Sequence, residues 1–375
     1  MKLKIITVVG TRPEIIRLSR IIPKLDLYFS HILVHTGQNY NFELSNIFFK
    51  ELKLKKPDFN LNCKSKNAIE FISKSLVRFD KILENEKPDA ILVLGDTNSA
   101  LTVLCAKKRK IPIFHIEAGN RCFDESVPEE INRKIVDHIS DINMTYSSYA
   151  SSNLKFEGIN QDRIIKIGSP LYEVYNHYLP QIEKSNILKE LKISEKNYIL
   201  ASIHREENVD NKGNLESIFE SISKLRKKLN VNVIFSSHPR IQKRIKKFNL
   251  KLDKYINFYK PFGLFDYIKL MKNAKIILSD SGSITEETSI LSVPSVNLRT
   301  SNERQEGMEQ GVSIMSGLNS KNILNAANIA INTRKTDEFN NTIYHEYKMS
   351  DVSGTVIKVI QSYTHYINKK TWFKL

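Results

Sequence analysis

Three carboxylates stand at positions where a folded chain of this pattern would put its chemistry. Glu117 follows the apolar run 111–116, which reads as a buried strand. Glu129 lies in the first turn of a helix that Pro128 opens, and Asp96 follows Gly95 at the end of another apolar run, 90–94. Proline is tolerated at a helix start, and open α/β sheets place ligands in the loops beyond the carboxyl ends of their strands. Carboxylates converging there can share general acid and base work when their surroundings separate their pKa values. Blander readings also exist: Glu129 favours a helix N-terminus through the macrodipole, and Asp96 is a turn aspartate. Upstream, 3–9 reads as a strand that ends at Gly10 and passes straight into GTRPEIIR, with Pro13 at the helix start and Arg12 and Arg17 beside it. Free N–H groups at a helix start with arginines nearby suit an anion; the alternative is an ordinary turn with surface arginines. The stretch is neither a Walker A loop nor G-x-G-x-x-G.

The second half repeats the arrangement. The run 197–210 ends in the cluster His204-Arg205-Glu206-Glu207, and 231–240 ends at His238. With His115, these make three histidines at strand ends. Taken alone, such a histidine is more often structural than catalytic. In AKIILSDSGSITEETSIL, 274–291, a strand runs into Ser281-Gly282-Ser283, whose backbone donors and hydroxyls suit a phosphate. Glu287, one turn into the following helix, could reach ribose hydroxyls.

The elements that must hold these residues alternate regularly. Strands at 3–9, in 31–40 (a strand with its Gly-bearing loop), 90–94, 111–116, 142–147 and 164–170 alternate with helices, which predicts a doubly wound parallel sheet. Residues 171–196 read as a crossover, after which strands near 197, 231, 255, 274 and 294 predict a second α/β half. Helices near 321–332 and 353–367 close the chain. A ligand bound between the halves would be held by one at each end. In the helix from Pro128, Ile131, Ile135, Val136 and Ile139 have the spacing of a core face, with Glu129, Glu130, Arg133 and Asp137 on the others.

Composition narrows the class. The 375 residues are 41% hydrophobic and 9% aromatic, as expected of a globular chain long enough for two domains. The net charge of +16 comes from scattered lysines with only short basic runs. Without an aromatic-interleaved basic motif it reads as solvated surface rather than a nucleic-acid site. The apolar start is too short for a signal peptide, and no run approaches the ~20 residues that span a bilayer. Cys63, Cys105 and Cys122 lack paired spacing, which argues against a disulfide framework or zinc site and for a reducing, cytoplasmic setting.

GTRPEII, HTGQNY, LGDTNS, HIEAGNR…PEEINR, HREEN and SDSGSITEE, in this order, resemble the non-hydrolysing UDP-N-acetylglucosamine 2-epimerases over nearly the whole chain. The stretch HIEAGNRCFDESVPEEINRKIVDHISDIN is most similar to the subgroup that epimerises UDP-2-acetamido-2,6-dideoxy-L-talose to UDP-N-acetyl-L-fucosamine for capsule and O-antigen. The resemblance implies a GT-B fold: two Rossmann-like, doubly wound parallel-sheet domains with the active site in the cleft. Residues 1–172 plus 353–375 would form the first domain and 173–352 the second. It implies no cofactor and no metal, a UDP-sugar substrate, and a homodimer with neither nucleic acid nor membrane insertion. In the implied mechanism UDP leaves C1 as the C2 proton is removed, and adds back to the resulting glycal. By the same resemblance Asp96, Glu117, Glu129 and His204 are catalytic, with Arg17, which replaces the usual lysine, as charge stabiliser. Arg12 contacts substrate, Ser281 and Gly282 form the diphosphate turn, Glu287 binds ribose, Arg304 lies near the diphosphate and sugar, and Tyr267 lies against uracil. His238 joins the substrate-binding set, and Ser283 stands for the second glycine of the turn. HREEN replaces HRREN, and SNERQEG replaces TERPE. Rival readings are plain UDP-N-acetylglucosamine epimerisation, the UDP-N-acetyl-L-rhamnosamine to L-quinovosamine pair, a GT-B glycosyltransferase, and a non-catalytic sensor.

Overall fold

The computed structural model describes residues 2–38, 42–237, 239–333 and 344–374. Among the described residues the first sheet has seven strands: β1 Lys4–Val9, β2 Ser30–His35, β3 Phe59–Asn60, β4 Ala90–Leu94, β5 Ile113–Ala118, β6 Ile142–Thr145 and β7 Ile164–Lys166. They pair in the order β3-β2-β1-β4-β5-β6-β7, all parallel. A second, six-stranded sheet contains β8 Tyr198–Ser202, β9 Asn232–Ser236, β10 Ile256–Tyr259, β11 Ile276–Ser279, β12 Ser295–Asn297 and β13 Ile314–Met315. Its order is β10-β9-β8-β11-β12-β13, again all parallel. Each sheet is therefore doubly wound, and each reverses direction once, between β1 and β4 and between β8 and β11. Those reversals are where such sheets open a crevice for ligand.

The strands form because they are short apolar runs rich in branched side chains, buried on both faces as parallel sheets require. Every residue of β4 is buried. One face of the first sheet packs Ile6, Val8, Ile91 and Val93 against Phe71, Phe79 and Leu83 of the helix Ala68–Glu86. Asn67 caps that helix, accepting from Glu70 N at 2.9 Å. Phe79 is fully buried, so truncating it to Ala should cost about 3–5 kcal/mol. No described helix is long and apolar enough to cross a membrane.

By internal contact the chain divides into two compact units, Met1–Asn176 with Glu346–Leu375, and His177–His345. The return to the first unit thus comes at Glu346, a few residues before the 353 read from the sequence. The closing helix Val352–Lys370 packs on the helix Ile21–Tyr28. Its start is fastened there by Glu173, which accepts from Ser353 N at 2.8 Å, and by the Lys24–Asp351 ion pair at 2.6 Å.

One sequence expectation is overturned. The helix Pro128–Ile139 does not bury Ile131 and Ile135, which are 52% and 36% exposed. Its inward face is Glu130, Asn132, Arg133, Val136 and Asp137. The apolar spacing was real, but ion pairs and hydrogen bonds to the neighbouring loops turn the polar stripe inward.

Candidate active site

Gly10, after β1, is where three strand ends are drawn together. A Cβ there would come within 2.0 Å of Ser99 Oγ and 2.3 Å of Thr36 Oγ1. Those two hydroxyls are themselves 2.8 Å apart, and Ser99 N and Oγ both donate to Gln38 Oε1. Glu14 closes the cluster. Its Oε2 accepts from Gly10 N at 2.5 Å and Thr11 N at 2.9 Å, and its Oε1 from Thr97 Oγ1 at 2.5 Å. Burial pushes the Glu14 carboxyl up to about 7, against the three donors that would lower it.

Asp96 is held from the helix Pro128–Ile139. Arg133 Nε and Nη2 donate to its Oδ2 at 3.0 and 2.7 Å, and Asn132 Nδ2 donates to its carbonyl at 2.9 Å. Arg133 also pairs with Glu130. Glu130 braces the preceding loop by accepting from Cys122 N at 3.1 Å and Phe123 N at 3.0 Å. Burial alone would raise the Glu130 carboxyl; the Cys122 N–H and Arg133 hold it below the usual range. Its neighbour Glu129 is half-buried and makes no hydrogen bond or ion pair with the described residues. Of the two adjacent glutamates, then, Glu130 is a structural brace and Glu129 stays half-buried.

Glu117 sits on strained backbone. Its φ is +69°, a left-handed value, at the point where the β5–β6 register shifts between Ile116 and Ala118. Such irregularities re-aim a side chain at a strand end, and a residue other than glycine is kept there only when its surroundings over-determine it. Glu117 Oε2 lies 3.4 Å from Arg17 Nε, and Arg17 is buried. Gly95 N donates to Ile116 O at 2.9 Å, so Asp96 and Glu117 directly follow a hydrogen-bonded pair of residues on adjacent strands. Beneath them His115 Nε2 meets the Gly95 carbonyl at 2.9 Å, and His115 Nδ1 lies 2.9 Å from Asp137 Oδ1. Arg121 links Asp137 to Glu157, both at 2.6 Å. Burial would raise Asp137, but His115 and Arg121 hold it below the ordinary carboxylate range. His115 is thus part of the support under the strand ends. Arg12 opens its helix with its guanidinium 5.7 Å above the Phe48 ring.

In the second unit the Ser281-Gly282-Ser283 turn precedes the helix Ile284–Leu291. Ser281 Oγ and Ser283 Oγ lie 3.0 Å apart. A Cβ on Gly282 would lie 1.9 Å from Glu303 Oε1, so any side chain there would push that carboxylate from its place beside the turn. Arg299 holds Glu303 at 2.6 Å. Arg304 is buried beneath the turn: its Nε donates to Gly282 O at 3.2 Å, and its Nη2 lies 3.0 Å from Glu286 Oε2. Arg304 therefore braces the turn as well as adding charge to it. Again one of two adjacent glutamates, Glu286, is buried in a structural pair while Glu287 stays half-buried. Tyr267, on the helix Leu264–Lys272, packs with Tyr259 and Phe262 against the core around Tyr198 and Ile277. His204, beyond β8, has its Nδ1 3.1 Å from Asp280 Oδ1. His238 lies outside the described residues. Glu206, the changed position in HREEN, is 75% exposed and pairs with Arg240, so that difference is absorbed on the surface.

Sequence reasoning passed over Glu14, Asp280, Arg133 and Glu303. Glu14 and Asp280 had a usable signal, a carboxylate five residues and one residue beyond a buried strand; Arg133 and Glu303 had none without the fold. Chemically, the first sheet gathers arginine and carboxylates suited to moving a proton beside developing negative charge. The second offers backbone donors, hydroxyls and arginine-braced turns suited to a diphosphate.

Comparison with known proteins supplies the family. The UDP-N-acetylglucosamine 2-epimerase family model matches residues 24–361. A UDP-N-acetylglucosamine 2-epimerase of Methanocaldococcus jannaschii is 40% identical over 344 residues, covering 89% of this chain and 93% of the relative. A UDP-N-acetylglucosamine 2-epimerase structure from Rickettsia bellii superposes with a TM-score of 0.92 at 43% identity, covering 100% of both chains. A Methanocaldococcus jannaschii UDP-GlcNAc 2-epimerase structure, in complex with UDP-GlcNAc and UDP, gives 0.89 at 36% identity, covering 96% of this chain and 100% of that one. The two Rossmann-like sheets are those of a GT-B-type fold. With the family matched across most of its length, the chain belongs to the UDP-N-acetylglucosamine 2-epimerase family and is an isomerase, a UDP-sugar 2-epimerase.

Proposed function

We propose that the chain inverts C2 of a UDP-2-acetamido-sugar by elimination and re-addition. A carboxylate takes the C2 proton, the C1–O bond breaks with its electrons leaving on UDP, and C1 and C2 become doubly bonded. UDP then adds back to C1, and a proton returns to C2 from the opposite face. Inversion calls for acid and base groups on two sides of one carbon, and the position of Asp96 and Glu117 directly after a hydrogen-bonded pair on adjacent strands, with Arg17 against Glu117, is the observation that supports this reading. Arg17 and Arg12 stabilise negative charge near them, and His204 serves proton transfer. Ser281, Gly282, Ser283 and Arg304 hold the diphosphate, Glu287 the ribose and Tyr267 the uracil; His238 belongs to the same binding set by resemblance.

For the sugar, relatives at about 40% identity over nearly the whole chain support UDP-N-acetylglucosamine, with UDP-N-acetylmannosamine as product. The second reading is UDP-2-acetamido-2,6-dideoxy-L-talose to UDP-N-acetyl-L-fucosamine, favoured by the wording of 115–143. Either product would feed surface-polysaccharide assembly. Proton NMR in D2O with the two substrates in separate tubes decides: deuterium at C2 with a new epimer identifies the sugar, and no exchange in either tube removes both. We also propose a homodimer that covers the exposed apolar residues Ile131 and Ile135; light scattering on Ile135→Glu would report a monomer, and an unchanged dimer would exclude that face.

A further inference from the structure

His204 and Asp280 lie just beyond β8 and β11, the strands between which the second sheet reverses. Ser202 and Ser279, their near neighbours in sequence, are paired across those strands. The two residues differ in setting. The His204 side chain is 49% exposed, whereas Asp280 is completely buried. The Asp280 carboxylate accepts the backbone N–H of His204 at 3.0 and 3.1 Å, the backbone N–H of Arg205 at 3.0 Å and the Asn208 side-chain amide at 3.0 Å. Its own carbonyl takes Arg205 Nε at 3.1 Å. The loop after β8 is therefore wrapped around one buried carboxyl group, and every group pointing at that carboxyl is a donor.

This fixes what the histidine ring must present. A buried carboxylate surrounded by N–H donors is an acceptor toward the ring as well, so a hydrogen is favoured on the ring nitrogen beside it, Nδ1 at 3.1 Å. Burial would raise the Asp280 carboxyl, but His204 and the loop donors hold it below the ordinary range, which agrees with an ionised acceptor. The opposite nitrogen, Nε2, is then the one that exchanges protons. In the neutral ring it is the lone-pair base, and in the cation it is the acid. A carboxylate acting on a histidine in this way sets its tautomer and orientation without itself taking the proton.

We infer that Asp280 is a positioning residue that locks His204 with Nδ1 protonated and so dedicates Nε2 to proton transfer in the epimerisation. The inference rests on the reading of His204 as catalytic. It also explains why one residue serves both jobs: the carboxylate that shapes the loop backbone is the one that selects the tautomer, so ring orientation and loop conformation cannot drift apart.

The test is nitrogen NMR of histidine-labelled protein, with the His204 signals identified by their loss in His204→Gln. In the unmutated protein, at a pH where the ring is neutral, Nδ1 is expected to show the protonated shift and Nε2 the unprotonated one. Asp280→Asn presents an amide N–H to Nδ1 and should reverse the pattern. It should also lower kcat for C2 exchange by about 10³–10⁴-fold with KM within a few-fold, the scale seen when such a carboxylate is lost from a histidine. Asn208→Ala removes a donor from Asp280 without touching the ring and should leave the tautomer unchanged. An Nε2-protonated ring in the unmutated protein overturns the inference even if Asp280→Asn fails to fold, as does an unaltered tautomer and kcat in Asp280→Asn. Undiminished exchange in His204→Gln, with the Nδ1 tautomer observed in the unmutated protein, would instead remove His204 from the chemistry, and overturn Asp280's part in the reaction.

Discussion

The Arg17 guanidinium, on the first helix of the chain, and the Glu117 carboxylate, on the end of β5, form an ion pair with Nε 3.4 Å from Oε2. If Glu117 moves the C2 proton, removing its charge while keeping its shape should stop the chemistry and spare binding. Glu117→Gln is expected to slow C2 deuterium exchange by about 10²–10⁴-fold, the usual share of one general acid or base. UDP affinity, measured by calorimetry, should stay within a few-fold. Loss of UDP binding would assign Glu117 to structure instead.

The backbone at Glu117 makes a separate prediction. Left-handed φ costs a side chain bearing a Cβ about 1–2 kcal/mol that glycine avoids. Glu117→Gly should therefore be more stable than Glu117→Ala by about 1 kcal/mol in urea melts, although neither should catalyse exchange. Equal stabilities would mean that the surroundings, rather than the φ angle, set the cost.

Glu14 should leave a mark on stability against pH. Its folded carboxyl is pushed from 4.5 up to about 7 by burial. A raised folded value means that its contribution is fully present below pH 4.5 and is lost as pH rises through about 7. The loss amounts to about 3 kcal/mol. Glu14→Gln can satisfy the same partners, with Oε1 accepting from Gly10 and Thr11 and Nε2 donating to Thr97, and it has no proton to lose. Relative to Glu14→Gln, the unmutated protein should weaken by about 2–3 kcal/mol between about pH 5 and about pH 8. Parallel curves for the two proteins would refute the raised carboxyl.

Glu287 and Glu286 should separate cleanly. Glu287→Ala is expected to weaken UDP binding by about 1.5–3 kcal/mol, the scale of a hydrogen bond to a charged group, with the melting temperature nearly unchanged. Glu286→Ala removes a carboxylate paired with the buried Arg304 and should destabilise the fold by about 3–5 kcal/mol. Reversal of this pattern in calorimetry and thermal melts would exchange their roles.

Much of this was legible in the chain because buried parallel strands announce themselves as short branched-apolar runs, and because Gly10, Pro13 and Pro128 mark where strands turn into helices. The two-residue strands β3 and β13 were not, since two residues carry no periodicity. The helix Pro128–Ile139 misled for a physical reason. Its isoleucines are spaced for a core, but Arg133, Glu130 and Asp137 find partners in the two loops after β4 and β5 and in His115, and those contacts exist only after folding. Adjacent glutamates pose the same difficulty. Nothing in the sequence says that Glu130 and Glu286 are braces while Glu129 and Glu287 are left half-buried, because the distinction lies with Cys122, Arg133 and Arg304.

The packing of the helix Val352–Lys370 on the helix Ile21–Tyr28 has a consequence for synthesis. A nascent chain ordinarily folds its leading domain first. Here the leading unit lacks its closing helix until the whole of His177–His345 has left the ribosome. The unit His177–His345 is therefore complete before the first one, whose apolar surface stays partly uncovered until a segment translated after the whole of that unit arrives.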